Sequence, residues 1–108
     1  MNWIEISIEN QVKINEAILR KPIKIFEHGK DICVVKTEEG IFGVNNSCPH
    51  AGAQLHHGHC NKLDIISCPL HGYKFQIKNG RSTDGNNYKL ICYEFKFEEG
   101  IYFLRRKN

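Results

Sequence analysis

A chain of 108 residues with a formal net charge of +3 has room for one domain around one modest core. Its composition, 41% hydrophobic and 25% charged, suits an ordinary folded protein. No apolar run approaches the roughly 20 residues that span a bilayer, and so small a charge excess does not point to nucleic acid by itself. The start, MNWIEISIEN, carries acids and no base, unlike a secretory signal, so a cytoplasmic protein is expected.

In chain order, residues 3–8 alternate, with Ile4, Ile6 and Ile8 on one face and Glu5, Ser7 and Glu9 on the other, which predicts a half-buried strand. Residues 14–21 read as a loop with at most one helical turn, because Pro22 discourages continuation. Residues 23–26, 32–36 and 41–44 are strand-like runs separated by His28-Gly29-Lys30-Asp31 and Glu38-Glu39-Gly40, a spacing that predicts two consecutive hairpins. His28, beside a turn glycine, is expected to be structural. Residues 47–73 break the rhythm; residues 63–67 and 74–77 then read as strands, and Asn79-Gly80 as a tight turn. Residues 88–97 alternate again, with Ile91, Tyr93, Phe95 and Phe97 on one face and Cys92, Glu94, Lys96 and Glu98 on the other. Glu99-Gly100 turns the chain into a last strand at 101–104. The expected fold is all-β: strands on both sides of residues 45–83 pair into a sandwich or small barrel, and the intervening segment presents a site at its tip.

That segment holds four side chains of metal-ligand type in two short pairs, Cys48 with His50 and Cys68 with His71, and 17 residues separate His50 from Cys68. Two Cys and two His can hold one zinc ion tetrahedrally. Structural zinc sites, however, usually pair like with like, whereas each loop here supplies one thiolate and one imidazole. Such mixed pairs suit a binuclear centre in which both cysteines serve one iron and both histidines the other.

The motifs Cys48-Pro49-His50-Ala51-Gly52-Ala53 and Cys68-Pro69-Leu70-His71-Gly72-Tyr73-Lys74-Phe75 resemble the two ligand loops of the oxygenase-type, low-potential Rieske [2Fe-2S] ferredoxins. The resemblance implies a single Rieske domain over residues 1–108, with a cluster-binding subdomain at about 45–83 formed by two ligand loops inserted between base strands. It further implies one Rieske-type [2Fe-2S] cluster held by Cys48, His50, Cys68 and His71. Imidazole ligation makes the cluster less negative than an all-cysteine one and raises its potential, across a family range of roughly −150 to +300 mV. Reduction places charge near the histidine-bound iron and so favours protonation of His50 and His71. High-potential members carry a disulfide and a serine where this chain has Ala53, Leu70 and Tyr73, so a low potential is expected. A cluster of this kind passes electrons and makes no bonds, and the chain has no residues over for a mononuclear-iron domain. The implied function is therefore an electron carrier rather than an enzyme, passing single electrons from a flavoprotein reductase to an oxygenase or similar redox protein, without nucleic acid or membrane partners. The alternatives are a small subunit of a larger enzyme such as nitrite reductase, and a zinc-stabilised interaction module.

Beyond the ligands, Pro49, Leu55, Pro69 and Leu70 are expected either to form an apolar docking surface or to pack between the loops. His56, His57 and His59 are expected as exposed loop residues, Cys33 and Cys92 as small core hydrophobes, and Cys60 as an exposed loop thiol. Between residues 41 and 83 the only acid is Asp64, against Lys62, Lys74, Lys78 and Arg81. This excess reads either as a field that steers an acidic partner or as a solvated surface.

Overall fold

A computed structural model describes residues 2–49, 52–85 and 87–107. Among them are strands β1 (Ile4–Glu5), β2 (Ile23–Glu27), β3 (Lys30–Thr37), β4 (Gly40–Asn45), β5 (His59–Cys60), β6 (Ile65–Ser67), β7 (Lys74–Gln76), β8 (Cys92–Glu98) and β9 (Ile101–Arg106), with one α-helix, α1 (Ile8–Asn15). The pairings are antiparallel and form a six-stranded sheet in the order β1-β9-β8-β4-β3-β2 and a three-stranded sheet in the order β5-β6-β7. The larger sheet curls into a half-barrel. No helix among the described residues is long and apolar enough to cross a membrane.

The small sheet lies within an excursion between β4 and β8, which pair with each other in the register Gly43↔Tyr93 and Val44↔Cys92. Just beyond that register, the Asn45 amide donates to the Ile91 carbonyl at 2.9 Å. The segment therefore leaves and returns at one point.

A run of four apolar residues in β3, Ile32-Cys33-Val34-Val35, is buried on both faces of its strand, as its lack of alternation requires. Ile32 and Val34 belong to a core with Ile6, Ile14, Ile25, Tyr93 and Leu104 inside the curl of the large sheet. Cys33 and Val35 face the opposite way, into a core with Val44, Leu55, Ile66, Phe75 and Leu90 that the excursion closes. The same division bears on β8. Cys92 is buried, as expected of a small core hydrophobe, although it shares a face with Glu94, Lys96 and Glu98, because the excursion covers that face at the start of the strand and not farther along. Phe97, on the supposedly inner face, is 56% exposed and stacks at 4.6 Å on Tyr102.

The N-terminus departs most from its pattern. β1 ends at Glu5, Ser7 precedes a helix, and Ile8 is 84% exposed instead of sharing a buried face with Ile4 and Ile6. The cause lies in two side chains. After the Ile6 amide donates to the Tyr102 carbonyl at 3.1 Å, the Gln11 side chain continues the pairing with β9: its Nε2 donates to the Tyr102 carbonyl at 2.9 Å and its Oε1 accepts from the Tyr102 amide at 2.9 Å. The buried Glu27 carboxylate meanwhile accepts the Ser7 amide at 2.7 Å and Asn10 Nδ2 at 3.1 Å. An anion there complements the positive end of α1 and satisfies one of its orphan donors. His28 sits in the β2–β3 turn at φ +48°, exposed, so its role there is conformational.

Glu27→Ala removes the acceptor and leaves two donors without it. A loss of about 1–3 kcal/mol is expected from urea unfolding, with an unchanged register of the large sheet by NMR; equal stability would contradict the anchoring of α1.

Candidate metal centre

Two turns of the same construction cap the excursion. In the first, Ser47 bridges to Gln54, the Cys48 amide donates to the Ala53 carbonyl at 2.8 Å, and the Gly52 amide donates to the Cys48 carbonyl at 2.8 Å. In the second, Ser67 pairs with Lys74, the Cys68 amide donates to the Tyr73 carbonyl at 2.7 Å, and the Gly72 amide donates to the Cys68 carbonyl at 3.0 Å. Gly52 and Gly72 take φ of +70° and +71°, the left-handed conformation that closes both turns and that a side chain would strain. The shared pattern, Cys-Pro at the entry and glycine four residues later, thus encodes one backbone geometry twice.

Within these turns the sulfurs point inward. Cys48 and Cys68 are 1% and 2% exposed and share the second core with Leu55, Ile66, Phe75 and Leu90, while Ala53 and Tyr73 pack against its edge. Pro49, Pro69, Leu70 and His71 are exposed. His50 and Ala51 lie outside the described residues. Among the described residues no three His, Cys, Asp or Glu side chains gather closely enough to hold one metal ion. A binuclear centre asks less of each point, with two protein donors at each iron and sulfide bridges supplying the rest. The donor set, two soft thiols set in an apolar wall and imidazole on the open side, fits that group.

Asn46 fixes the base of the first turn. Its carbonyl accepts the Leu55 amide at 2.7 Å, its side-chain Oδ1 accepts the His56 amide at 2.8 Å, and its Nδ2 lies 2.9 Å from His56 Nδ1. His56 is therefore half-buried rather than an exposed loop residue, and burial, followed by the neighbouring His57 and Lys24, holds its pKa below the ordinary value. His57 and His59 are exposed as expected. Leu55 is fully buried in a short 3-10 turn (Leu55–His57), which removes it from the apolar surface; Pro49, Pro69 and Leu70 remain on it.

Cys60 is not the exposed thiol its polar neighbours suggested. It is 2% exposed in β5 and shares the second core with Cys33 and Cys92. Burial pushes the Cys33 thiol up to about 12 and the Cys60 thiol up to about 11.

A third segment reaches the turns, and its composition offered no sign of it. The Tyr88 ring meets the Tyr73 ring edge-on at 6.0 Å, and Lys89, Leu90 and Ile91 line a cavity of about 350 Å³ with Cys48, Pro49 and Gly52.

A model of the family described as "Rieske [2Fe-2S] domain" matches residues 2–94, which include both turns and every strand before the last two in full. The chain belongs to this family. The Rieske domain binds one [2Fe-2S] cluster. Among its relatives, cholesterol 7-desaturase from Xenopus laevis is 39% identical over 56 residues, 51% of this chain but only 12% of that protein. The ferredoxin component of naphthalene 1,2-dioxygenase/salicylate 5-hydroxylase systems from Ralstonia sp. is 26% identical over 81 residues, covering 75% of this chain and 72% of that one. The Rieske fold superposes on the ferredoxin of carbazole 1,9a-dioxygenase from Nocardioides aromaticivorans IC177 with a TM-score of 0.81 at 19% identity, over 99% and 100% of the two chains.

Gly58 tests how tightly the turns are tied together. A Cβ there would lie 2.0 Å from the Ser67 carbonyl oxygen, one residue before Cys68. Gly58→Ala is expected to cost about 2–3 kcal/mol in thermal unfolding and to lower the iron bound per chain; normal stability and loading would contradict the contact.

Alkaline pH tests the buried thiols. Their folded pKa values exceed the unfolded value of 9.0, so the stability they contribute is complete below about pH 9 and is lost as pH rises through about 11 and 12. Over that window each thiol contributes a slope of up to about 1.4 kcal/mol per pH unit. The Cys33→Ala/Cys60→Ala variant should lose stability less steeply above pH 9 in urea titrations, and an identical slope would contradict the burial argument.

Proposed function

We propose that this Rieske domain is an electron carrier whose cluster is held by Cys48 and Cys68 at one iron and by His50 and His71 at the other. The observation that carries this reading is the pair of matched turns, each burying one cysteine in a common core. Bound there, the cluster supplies reversible one-electron uptake. The chain's own residues do the rest: the core around Cys48 and Cys68 excludes water from the thiolate side, and the Asn46 and Gly52/Gly72 bonds hold the donors in place before metal arrives. His71, Pro69 and Leu70 stand on the exposed side, which is where electrons would enter and leave.

An oxygenase as acceptor is supported by the likeness, over 75% of this chain, to the ferredoxin component of naphthalene 1,2-dioxygenase/salicylate 5-hydroxylase systems, and a flavoprotein reductase completes the reading as donor. A reducing, cytoplasmic setting is supported by five cysteines that are all buried and form no disulfide. We assign residues 1–108 to one Rieske domain and residues 45–83 to its cluster-binding part.

Ala53, Leu70 and Tyr73 set the expected potential. The first two cannot form the disulfide of high-potential members, and Tyr73 supplies a half-buried ring where those have serine. The potential should therefore lie near the bottom of the range of roughly −150 to +300 mV. Iron and acid-labile sulfide analysis should return two of each per chain, with electron paramagnetic resonance of the reduced protein showing the low average g value of mixed ligation. A colourless protein with one zinc and no sulfide would overturn the reading. Potentiometry should give a low value, and a midpoint above about +150 mV would contradict the roles of Ala53, Leu70 and Tyr73. His71→Cys should retain a cluster at a lower potential; an unchanged potential would remove His71 from the ligand set.

A further inference from the structure

Three segments meet at the open end of the excursion. Pro49 and Gly52 belong to the first turn, Tyr73 and Lys74 to the second, and Tyr88 and Lys89 join them by packing on Tyr73 and lining the cavity beside Cys48. Arg81, Tyr88 and Lys89 line a further cavity next to this one, and Arg81 lies opposite Lys89 in a β-bridge. Among the described residues, the exposed apolar surface here includes Pro49, Pro69, Leu70 and the half-covered Tyr88, with Leu70 59% and Tyr88 38% exposed.

Several bases form no ion pair among the described residues, Lys21, Lys24, Lys36 and Lys62 among them, and three more gather at this end. Most ion pairs of the described residues lie away from it: Lys13 with Glu9, Arg20 with Glu38 and Asp64, Lys96 with Glu98, and Arg105 with Glu94. Lys78, which the sequence counts toward the positive excess, is also neutralised, by Glu39 and Asp64. Lys74, Arg81 and Lys89 have no carboxylate within ion-pair distance among the described residues, and all three are exposed. Two acids oppose them in this region: Asp84, whose carboxylate accepts the Lys74 amide at 3.0 Å, and Asp31, which lines the flank of the first turn together with Lys30. The balance at the open end stays positive.

Apolar groups at the centre with uncompensated charge around them match the anatomy of a small, transient interface. We propose that this end docks the acidic face of a partner redox protein, with Lys74, Arg81 and Lys89 as the recognition groups. The proposal rests on the carrier reading and adds the chemistry of the partner. A net excess of one sign around a site of electron exit raises encounter rates with the opposite sign and is screened by salt.

The test uses the reduced, cluster-bearing protein and two inorganic oxidants of opposite charge, hexacyanoferrate(III) and tris(phenanthroline)cobalt(III), followed by stopped-flow. Raising ionic strength from about 10 to about 300 mM should slow oxidation by the anion about fivefold and accelerate oxidation by the cation. Poly-glutamate at low salt, standing in for an acidic protein face, should slow the anionic reaction by at least about threefold, and poly-lysine should not. Lys74→Glu/Arg81→Glu/Lys89→Glu should reverse both salt slopes and abolish the poly-glutamate effect with an unchanged paramagnetic spectrum. Lys13→Glu/Lys21→Glu/Lys62→Glu alters net charge equally and should keep the slopes of the parent. Parental behaviour of the first variant, or equal loss in the second, would overturn the proposal. Should the first variant lose its cluster, the corresponding glutamine variant answers the same question by flattening the slopes or leaving them as they were. A parent protein without the Rieske signal would instead overturn the carrier reading beneath it.

Discussion

Gly43 pairs with Tyr93 and Val44 with Cys92, so the chain that leaves β4 at Asn45 comes back beside it at Ile91. Holding these two points together costs loop-closure entropy, but that cost grows only slowly with the length of the closed segment. The six-stranded sheet meets it with a ladder on either side, β3 against β4 and β9 against β8. What the excursion gains is an apolar floor, since Cys33, Val35, Val44 and Cys92 on that sheet face complete the core begun by Leu55, Ile66, Phe75 and Leu90. A three-stranded sheet with strands of two and three residues would be marginal alone. Packed on this floor, it holds two tight turns at a fixed separation.

The side of each turn then follows. Each Cys-Pro entry places its sulfur toward the floor, and Pro49 and Gly52 of the first turn and Pro69, Leu70, His71 and Gly72 of the second face solvent. Ion pairs brace the excursion from its far end: Arg20 spans Glu38 in the β3–β4 turn and Asp64 before β6, and Lys78 links Glu39 to the same Asp64. The pairs that reach Glu38 and Glu39 are exposed on the acid side and each contribute little, whereas Arg20 and Asp64 are both largely covered.

Legibility followed the range of the forces involved. The hairpins of β2, β3 and β4 and the two turns were readable, because their signals are local: turn residues between β-branched runs, and Cys-Pro with glycine at a fixed offset. β3 was readable as a strand, and its burial on both faces is written in the unbroken run Ile32-Cys33-Val34-Val35. Helix α1 was not, because what ends β1 is a pair of distant partners, Glu27 and Tyr102, reached by Ser7, Asn10 and Gln11. His56 and Cys60 were misread for a related reason. Their polar, glycine-bearing surroundings look like a surface loop, and only the floor supplied by β3, β4 and β8, together with Asn46, reveals them as interior. Tyr88 and Lys89 lack any local mark, since their place beside the turns depends on how β8 is entered. The signal available in hindsight is their position just before the strand that closes the excursion.

All five cysteines lie in one core, yet only two are proposed as ligands, which raises the question of what separates them. Proximity alone does not. Cys33 and Cys92 sit within strands paired on both sides, and Cys60 within a strand paired with β6. Cys33 and Cys60 are moreover held protonated by burial, and a thiol that resists ionisation is a poor competitor for iron, because the thiolate is the ligand. Cys48 and Cys68 differ in local structure: each begins a turn whose carbonyl and amide are already spent on Gly52 and Ala53, or on Gly72 and Tyr73, and each is followed by an exposed proline. The core therefore does two opposite things with one residue type. It suppresses the thiols embedded in its strands and shelters the two that its turns present.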